Sequence, residues 1–289
     1  MPVLRSAIQQ QVRAMFGTEK GEVPLEDPPG DAGLFGPRSA AWRVHGDLAT
    51  MMVGGVAALQ LQMLHPGALA GVWDHSNFRQ DMQGRLRRTA RFMSGTTYAP
   101  TQEAVALIDK VRAIHDQIHG RLPDGRPYSA NDPDLLTWVH VAGAWCFLAA
   151  YVRHRDPAFP LADQDRYFDE TAVVGLRLGA QDVPRSLRAA EAYLRDMRPQ
   201  LRCDERTREV IGALLSQRWS SPAVAQAGRL IFQAAEDLLP PWAAEMHGFQ
   251  KSLGRGPGLW LGVRGLGAAL RWALPNSPER RARRRKFTS

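Results

Sequence analysis

Along most of this chain apolar positions recur at the three-to-four-residue interval of a helix rather than the two-residue interval of a strand. Between Thr101 and His119 they fall at Val105, Ile108, Val111, Ile114 and Ile118, with Pro100-Thr101 marking a start and Gly120 a stop. A long helix is predicted from near Ser39 to Leu64, ended or restarted by Pro66. Asp132-Pro133 reads as an N-cap followed by a proline in the first helical position, opening the apolar stretch DLLTWVHVAGAWCFLAAYV. Ser221-Pro222 gives the same signal for a helix over 222–238, and further helices are predicted over 163–178, 185–198 and 203–218. No segment keeps a strict alternation, so the expected fold is all-α, a single multi-helix globular domain with little or no sheet. The run GEVPLEDPPGDAGLFGP is dense in Gly, Pro and acids and reads as loop. Three parts follow: an N-terminal extension and loop over 1–37, a helical domain over 38–253, and an amphipathic helix with a basic tail over 254–289.

Composition refines this picture without redirecting it. With 44% hydrophobic and 23% charged residues in 289, the chain is ordinary globular protein, large enough to bury a core around an internal ligand. The uncharged run LATMMVGGVAALQLQML is short for a bilayer span and holds Gln60 and Gln62, so it reads as a buried core helix. Two cysteines are too few for a disulfide framework, and Cys146 lies in an apolar run where a small buried hydrophobe belongs. The amphipathic start MPVLRSAIQQQVRAMF lacks a continuous apolar segment, and the expected setting is cytoplasmic. Net charge is +8, but ERRARRRKFTS carries six basic residues and one acid, leaving about +3 elsewhere. A nucleic-acid partner is therefore not expected. The tail, joined to LWLGVRGLGAALRWA with Trp260 and Trp272, instead suits peripheral contact with an anionic membrane, or else a packed helix with a free solubilising tail.

Candidate chemistry centres on histidine. His115 and His119 lie four apart on one predicted helix and so should share a face; His140 sits mid-helix in an apolar stretch and needs a partner. Imidazole is the commonest metal ligand, including to haem iron. The spacing H-D-x-x-H puts Asp116 where a zinc hydrolase needs Glu, and no E-x-x-H is present for a di-iron bundle. Dinucleotide, NTP and serine-hydrolase signatures are absent. In RLRRTAR, Arg85, Arg87, Arg88 and Arg91 surround Thr89, either as a solvated basic face or as a cationic wall beside a carboxylate-bearing ligand.

The blocks GLFGPRSAAWRVHGDLATMMVGGVAALQLQMLHPGALAGVWDHSNFRQDMQGRLRRTARFM, VRAIHDQIHG, GRPYSANDPDLLTWVHVA and PLADQDRYFDETAVVGLRLGAQDVP, in that order, resemble the MpaB-like oxygenase family, which includes the rubber-cleaving latex-clearing proteins. The resemblance runs from about Gly33 to Leu239. It implies an all-α fold enclosing haem b, one histidine bound to iron, O2 on the opposite face, and a small apolar substrate oxidised by C=C cleavage, hydroxylation or desaturation, with an electron donor as a further partner. The family pattern V-x-x-x-H-x-x-x-x-G falls on His115 as the metal ligand, while the spacing from the Arg-x-x-x-Thr pair lands nearer His119. Arg85 and Thr89 match that pair and are the implied catalytic residues beside the haem; His140 fits the pattern as a further cofactor contact. The other readings are a haem or O2 binder without catalysis, and a basic helical membrane-surface adaptor without cofactor.

Overall fold

In a computed structural model of the chain, residues 2–16, 24–217, 220–249 and 256–285 are described. Fourteen α-helices lie among them: α1 Pro2–Phe16, α2 Ala40–His45, α3 Leu48–Gln62, α4 Pro66–His75, α5 Phe78–Tyr98, α6 Thr101–His115, α7 Pro133–His154, α8 Leu161–Leu178, α9 Leu187–Asp196, α10 Glu205–Leu215, α11 Pro222–Leu238, α12 Pro241–Met246, α13 Gly256–Ala273 and α14 Pro278–Ala282. A short antiparallel pair, β1 His119–Arg121 and β2 Pro127–Ser129, is the sheet among these residues, with Gly120 opposite Tyr128. The fold class is all-α, as the periodicity predicts.

Several helices begin where their caps dictate. Asp132 accepts from the backbone N–H groups of Asp134 and Leu135, Ser221 from that of Val224, and Ser186 from that of Ala189. The long helix expected from Ser39 to Leu64 is instead two helices, because Asp47 leaves helical geometry and its carboxylate accepts from Thr50 N–H at 3.1 Å, starting α3 afresh.

The centre of the body is the antiparallel pair α3 and α7, the most extensive helix contact in the molecule. Neither helix has a polar face: α3 buries Val53, Val56, Ala57, Leu59 and Leu61, and α7 buries Leu135, Trp138, Val141, Phe147 and Leu148. A helix apolar all round needs partners all round, and α2, α4, α8, α9, α11 and α13 supply them to α7. α7 is long and apolar enough to cross a bilayer, yet 72% of its most apolar window is buried within this body. Backbone approach is closest at Gly54, where an added Cβ would stand 2.9 Å from the Cα and ring of Phe147. Gly54→Ala is therefore expected to lower stability by about 1–3 kcal/mol through overpacking, despite alanine's better helix propensity. A thermal melt against the parent protein checks this.

The C-terminal segment is built into the body as far as it is described. α13 packs on α1, α3, α7 and α11, and α14 on α5. Arg281 and Arg284 each lie 3.3 Å from Glu26, and Arg285 is fully buried, donating to the Tyr98 carbonyl at 2.7 Å. Through Arg285 the cationic stretch is a strap on the protein rather than a free arm. Residues 286–289, and the boundary placed at 253–254, lie outside the described residues.

Candidate functional site

The arginine-rich stretch owes its arrangement to a break in α5. Asp81 has non-helical angles (φ −139°, ψ 58°), and its carboxylate accepts from Gly84 N–H at 2.7 Å, acting as the cap of a new helical run. Arg87 and Arg88 fold back over Asp81 at 3.9 and 3.6 Å. Arg85, in the first turn after that cap, is half-buried, and this burial, with a smaller contribution from Arg88, pushes its guanidinium down to about 10. No hydrogen bond or carboxylate holds Arg85 among the described residues. A half-buried guanidinium without a counter-ion is available to an anionic ligand group. Thr89, one turn on, is exposed, and its hydroxyl donates to the Arg85 carbonyl at 3.2 Å.

The two candidate ligand histidines do not share a helix face. α6 ends at His115; Ile118 N–H bonds the His115 carbonyl, turning the chain, and His119 starts β1, exposed, its carbonyl 3.2 Å from His75 Nε2. The predicted helix overran by one turn. His115 is half-buried and its Nδ1 carries no hydrogen bond. The side chain of Asn131 faces it: the Asn131 Nδ2 group is spent on Asp116 Oδ1 at 2.6 Å and the Arg112 carbonyl at 3.4 Å, and its buried Oδ1 is unbonded. Burial lowers the His115 pKa, opposed by Asn131 and the Asp116 charge. The imidazole is therefore neutral near pH 7, the form a metal requires.

His140 stands on the side of α7 that meets α8, its ring against Gly175, where an added Cβ would lie 2.9 Å from the ring. Burial pushes its pKa down to about 4, and no hydrogen bond to either nitrogen is present among the described residues, although the ring retains accessible surface. No hydrogen bond or ion pair joins Arg85, Thr89, His115, His119 and His140 side chain to side chain. α6 packs on both α5 and α8, and α8 on α7, so this run of neighbours carries Arg85, His115 and His140.

A haem would draw on one neutral imidazole and on a cation for its propionates; His115, with the Asn131 oxygen near its Nδ1, and Arg85 are groups of those types. Among the described residues no group of three or more His, Cys, Asp or Glu could hold a bare metal ion; a haem asks for no such cluster. A surface groove of about 570 Å³, lined by Arg195 on α9, Arg198 in the tight turn that follows it, and Trp242 and Glu245 on α12, holds none of these five residues.

Sequence reasoning missed a buried histidine with both ring nitrogens bonded. His45 on α2 is buried between Thr97 Oγ1 at 2.8 Å and Tyr167 Oη at 2.9 Å. Thr97 donates its own proton to the Met93 carbonyl at 2.6 Å, so Nδ1–H donates to Thr97 and Nε2 accepts from Tyr167. This chain ties α2, α5 and α8 together; only the apolar context of Val44 and the later Thr and Tyr hinted at it.

Comparison with known families matches residues 42–272 to the family described as "ER-bound oxygenase mpaB/B'/Rubber oxygenase, catalytic domain". The match begins in α2, ends in α13 and contains all five candidate residues. Comparisons with curated proteins and with solved structures give no match.

Proposed function

From the premise that the chain belongs to the mpaB/rubber oxygenase catalytic-domain family, an oxygenase family, we propose that it is a haem b-dependent oxygenase of a small apolar organic substrate. The observation that carries the haem reading is His115, a neutral, half-buried imidazole with an unbonded Nδ1 beside the unbonded Asn131 oxygen. Asn131 is pinned by its amide nitrogen, so its unbonded oxygen is the group that would accept Nδ1–H and leave the Nε2 lone pair for iron. When bound, the haem would supply O2 activation; the electrons come from the substrate in C=C cleavage, and from the electron donor as well in hydroxylation or desaturation. The protein supplies placement and charge. Arg85 meets an anionic group, a propionate or the charge that develops on oxygen, without first giving up a carboxylate partner. His140, half-buried and neutral, offers one ring N–H and one acceptor on the α8 side of α7. Thr89 is exposed, so it serves at the edge of such a site and not in its interior.

Purified protein supplied with haem during expression is expected to show a Soret band and one haem per chain in the pyridine haemochrome assay. Once reduced, it is expected to consume O2 faster with one member of a panel of unsaturated lipophiles than without. A colourless protein that does not take up haem sinks the cofactor assignment. A haem protein inert toward the whole panel is a binder and not an oxygenase of this substrate class.

A further inference from the structure

The outward face of α13 breaks the rule that a surface helix turns polar side chains to water. Pro257, Leu261, Gly265, Ala268 and Trp272 recur at intervals of four, four, three and four, forming one continuous stripe, and all are exposed. Trp260 and Gly258 are also exposed, so every exposed position of α13 is apolar or glycine. The opposite side is apolar as well, with Leu259, Val263 and Leu270 buried against the body. Of the eight large exposed hydrophobics among the described residues, five lie on α13 and its neighbour α1: Val3, Leu4, Trp260, Leu261 and Trp272. Scattered singly such residues mean nothing; concentrated on one helix pair they mark a docking face.

The rim is cationic. Arg264 covers the Trp260 ring at 4.6 Å, Arg5 lies 5.9 Å from Trp272, and Arg271 sits beside the stripe. Arg153 and Arg155 present their carbonyls to Trp260 and Arg264. Against these five guanidiniums stand two carboxylates, Asp47 paired with Arg271 and Arg155, and Asp237 paired with Arg153. Neither α1 nor α13 contains Asp or Glu. The two tryptophans are twelve residues apart, about 18 Å along the axis, and amphipathic rings of this kind settle at the headgroup level of a bilayer.

We propose that the α13 stripe, edged by α1, is a membrane-docking face that lies flat in the surface of an anionic bilayer. Leu261 and Trp272 enter the headgroup–acyl boundary, and the guanidinium rim meets lipid phosphates and carboxylates. The described part of the cationic tail is strapped to Glu26 and Tyr98 and takes no part. This placement does not depend on the haem reading.

The test is flotation of the full-length protein with vesicles of phosphatidylcholine alone and of phosphatidylcholine mixed with phosphatidylserine. The wild type is expected to float with the mixed vesicles, less with the neutral ones, and less with the mixed ones as salt rises. Leu261→Glu and Trp272→Glu are each expected to cut partitioning by roughly tenfold or more. Leu161→Glu, at an equally exposed apolar position on α8, leaves it unchanged. All three sites are exposed, and circular dichroism melts confirm that the variants fold. Wild type that stays at the bottom of the gradient, or a Leu261→Glu variant that floats as well as wild type, overturns the proposal. So does a wild-type dimer that ignores vesicles and becomes monomeric on Leu261→Glu, which assigns the stripe to a second copy of the chain.

Discussion

Replacing His115 with alanine is expected to give a folded protein that has lost its haem, with the Soret band falling to the level of free haem in buffer. His115 is half-buried at the last turn of α6 and makes no side-chain hydrogen bond that holds the fold, so the stability cost should stay within about 1 kcal/mol. His119→Ala, at an exposed strand residue whose backbone rather than ring is bonded, is expected to keep the spectrum intact. His140→Ala separates the two remaining imidazoles: it removes a half-buried ring that packs on Gly175, and a retained but perturbed spectrum places it beside the haem and not on the iron. Asn131→Leu reports on the ligand's other nitrogen. Without an acceptor at Nδ1 the imidazole donates less to iron, and the iron–histidine stretching band in resonance Raman is expected to move to lower frequency. A His115→Ala protein with an unchanged Soret band would remove His115 from the metal, whatever the other variants do.

How far these residues were legible beforehand differs from element to element. Asp132-Pro133 and Ser221-Pro222 carry their helix starts within two residues, because an N-cap is a local bond between a side chain and the next turn. The split at Asp47 was hidden because Val44 and Leu48 continue the apolar pattern across it, so period alone joins α2 to α3. β1 and β2, three residues each, are too short to show alternation, and the Asp124-Gly125 turn between them reads equally as loop. That hairpin is what takes His119 off the helix. At Asp81 no proline announces the break, and its one local trace is Gly84, where an added Cβ would meet the Asp81 carboxylate; the cap forms from a residue that mid-helix would ordinarily sit in solvent. The family and the all-α class were legible because they rest on many residues in order. The surroundings of each single side chain were not, since the partial burial of Arg85, the Asn131 amide at His115, and Thr97 and Tyr167 on His45 depend on segments distant in sequence.

Those surroundings have a second consequence, with acid as the probe. Burial pushes the pKa of His45 down to about 3, and of His65, His140 and His154 down to about 4, from 6.5 when exposed. As pH falls below 6.5 the unfolded chain protonates these rings while the folded one does not, so the unfolded state binds more protons and stability falls with falling pH. The loss continues until pH reaches the folded values near 4. Each fully coupled group contributes up to about 1.4 kcal/mol per pH unit, so His45 and His154, both nearly fully buried, give about 3 kcal/mol per unit together. His65 and His140, with more accessible rings, add smaller amounts. Against a typical stability of about 5–15 kcal/mol, the protein is expected to unfold cooperatively between about pH 6 and 4, with the loss beginning before most carboxylates protonate. Thermal melts at closely spaced pH values check the slope. His154 isolates one proton of it: both its nitrogens are buried without hydrogen bonds among the described residues, a penalty of about 1–3 kcal/mol. His154→Leu is therefore expected to raise the melting temperature at neutral pH and to flatten the acid limb by one proton. A variant that melts lower at pH 7, with the slope unchanged, would show that the ring is bonded and charged in the native protein.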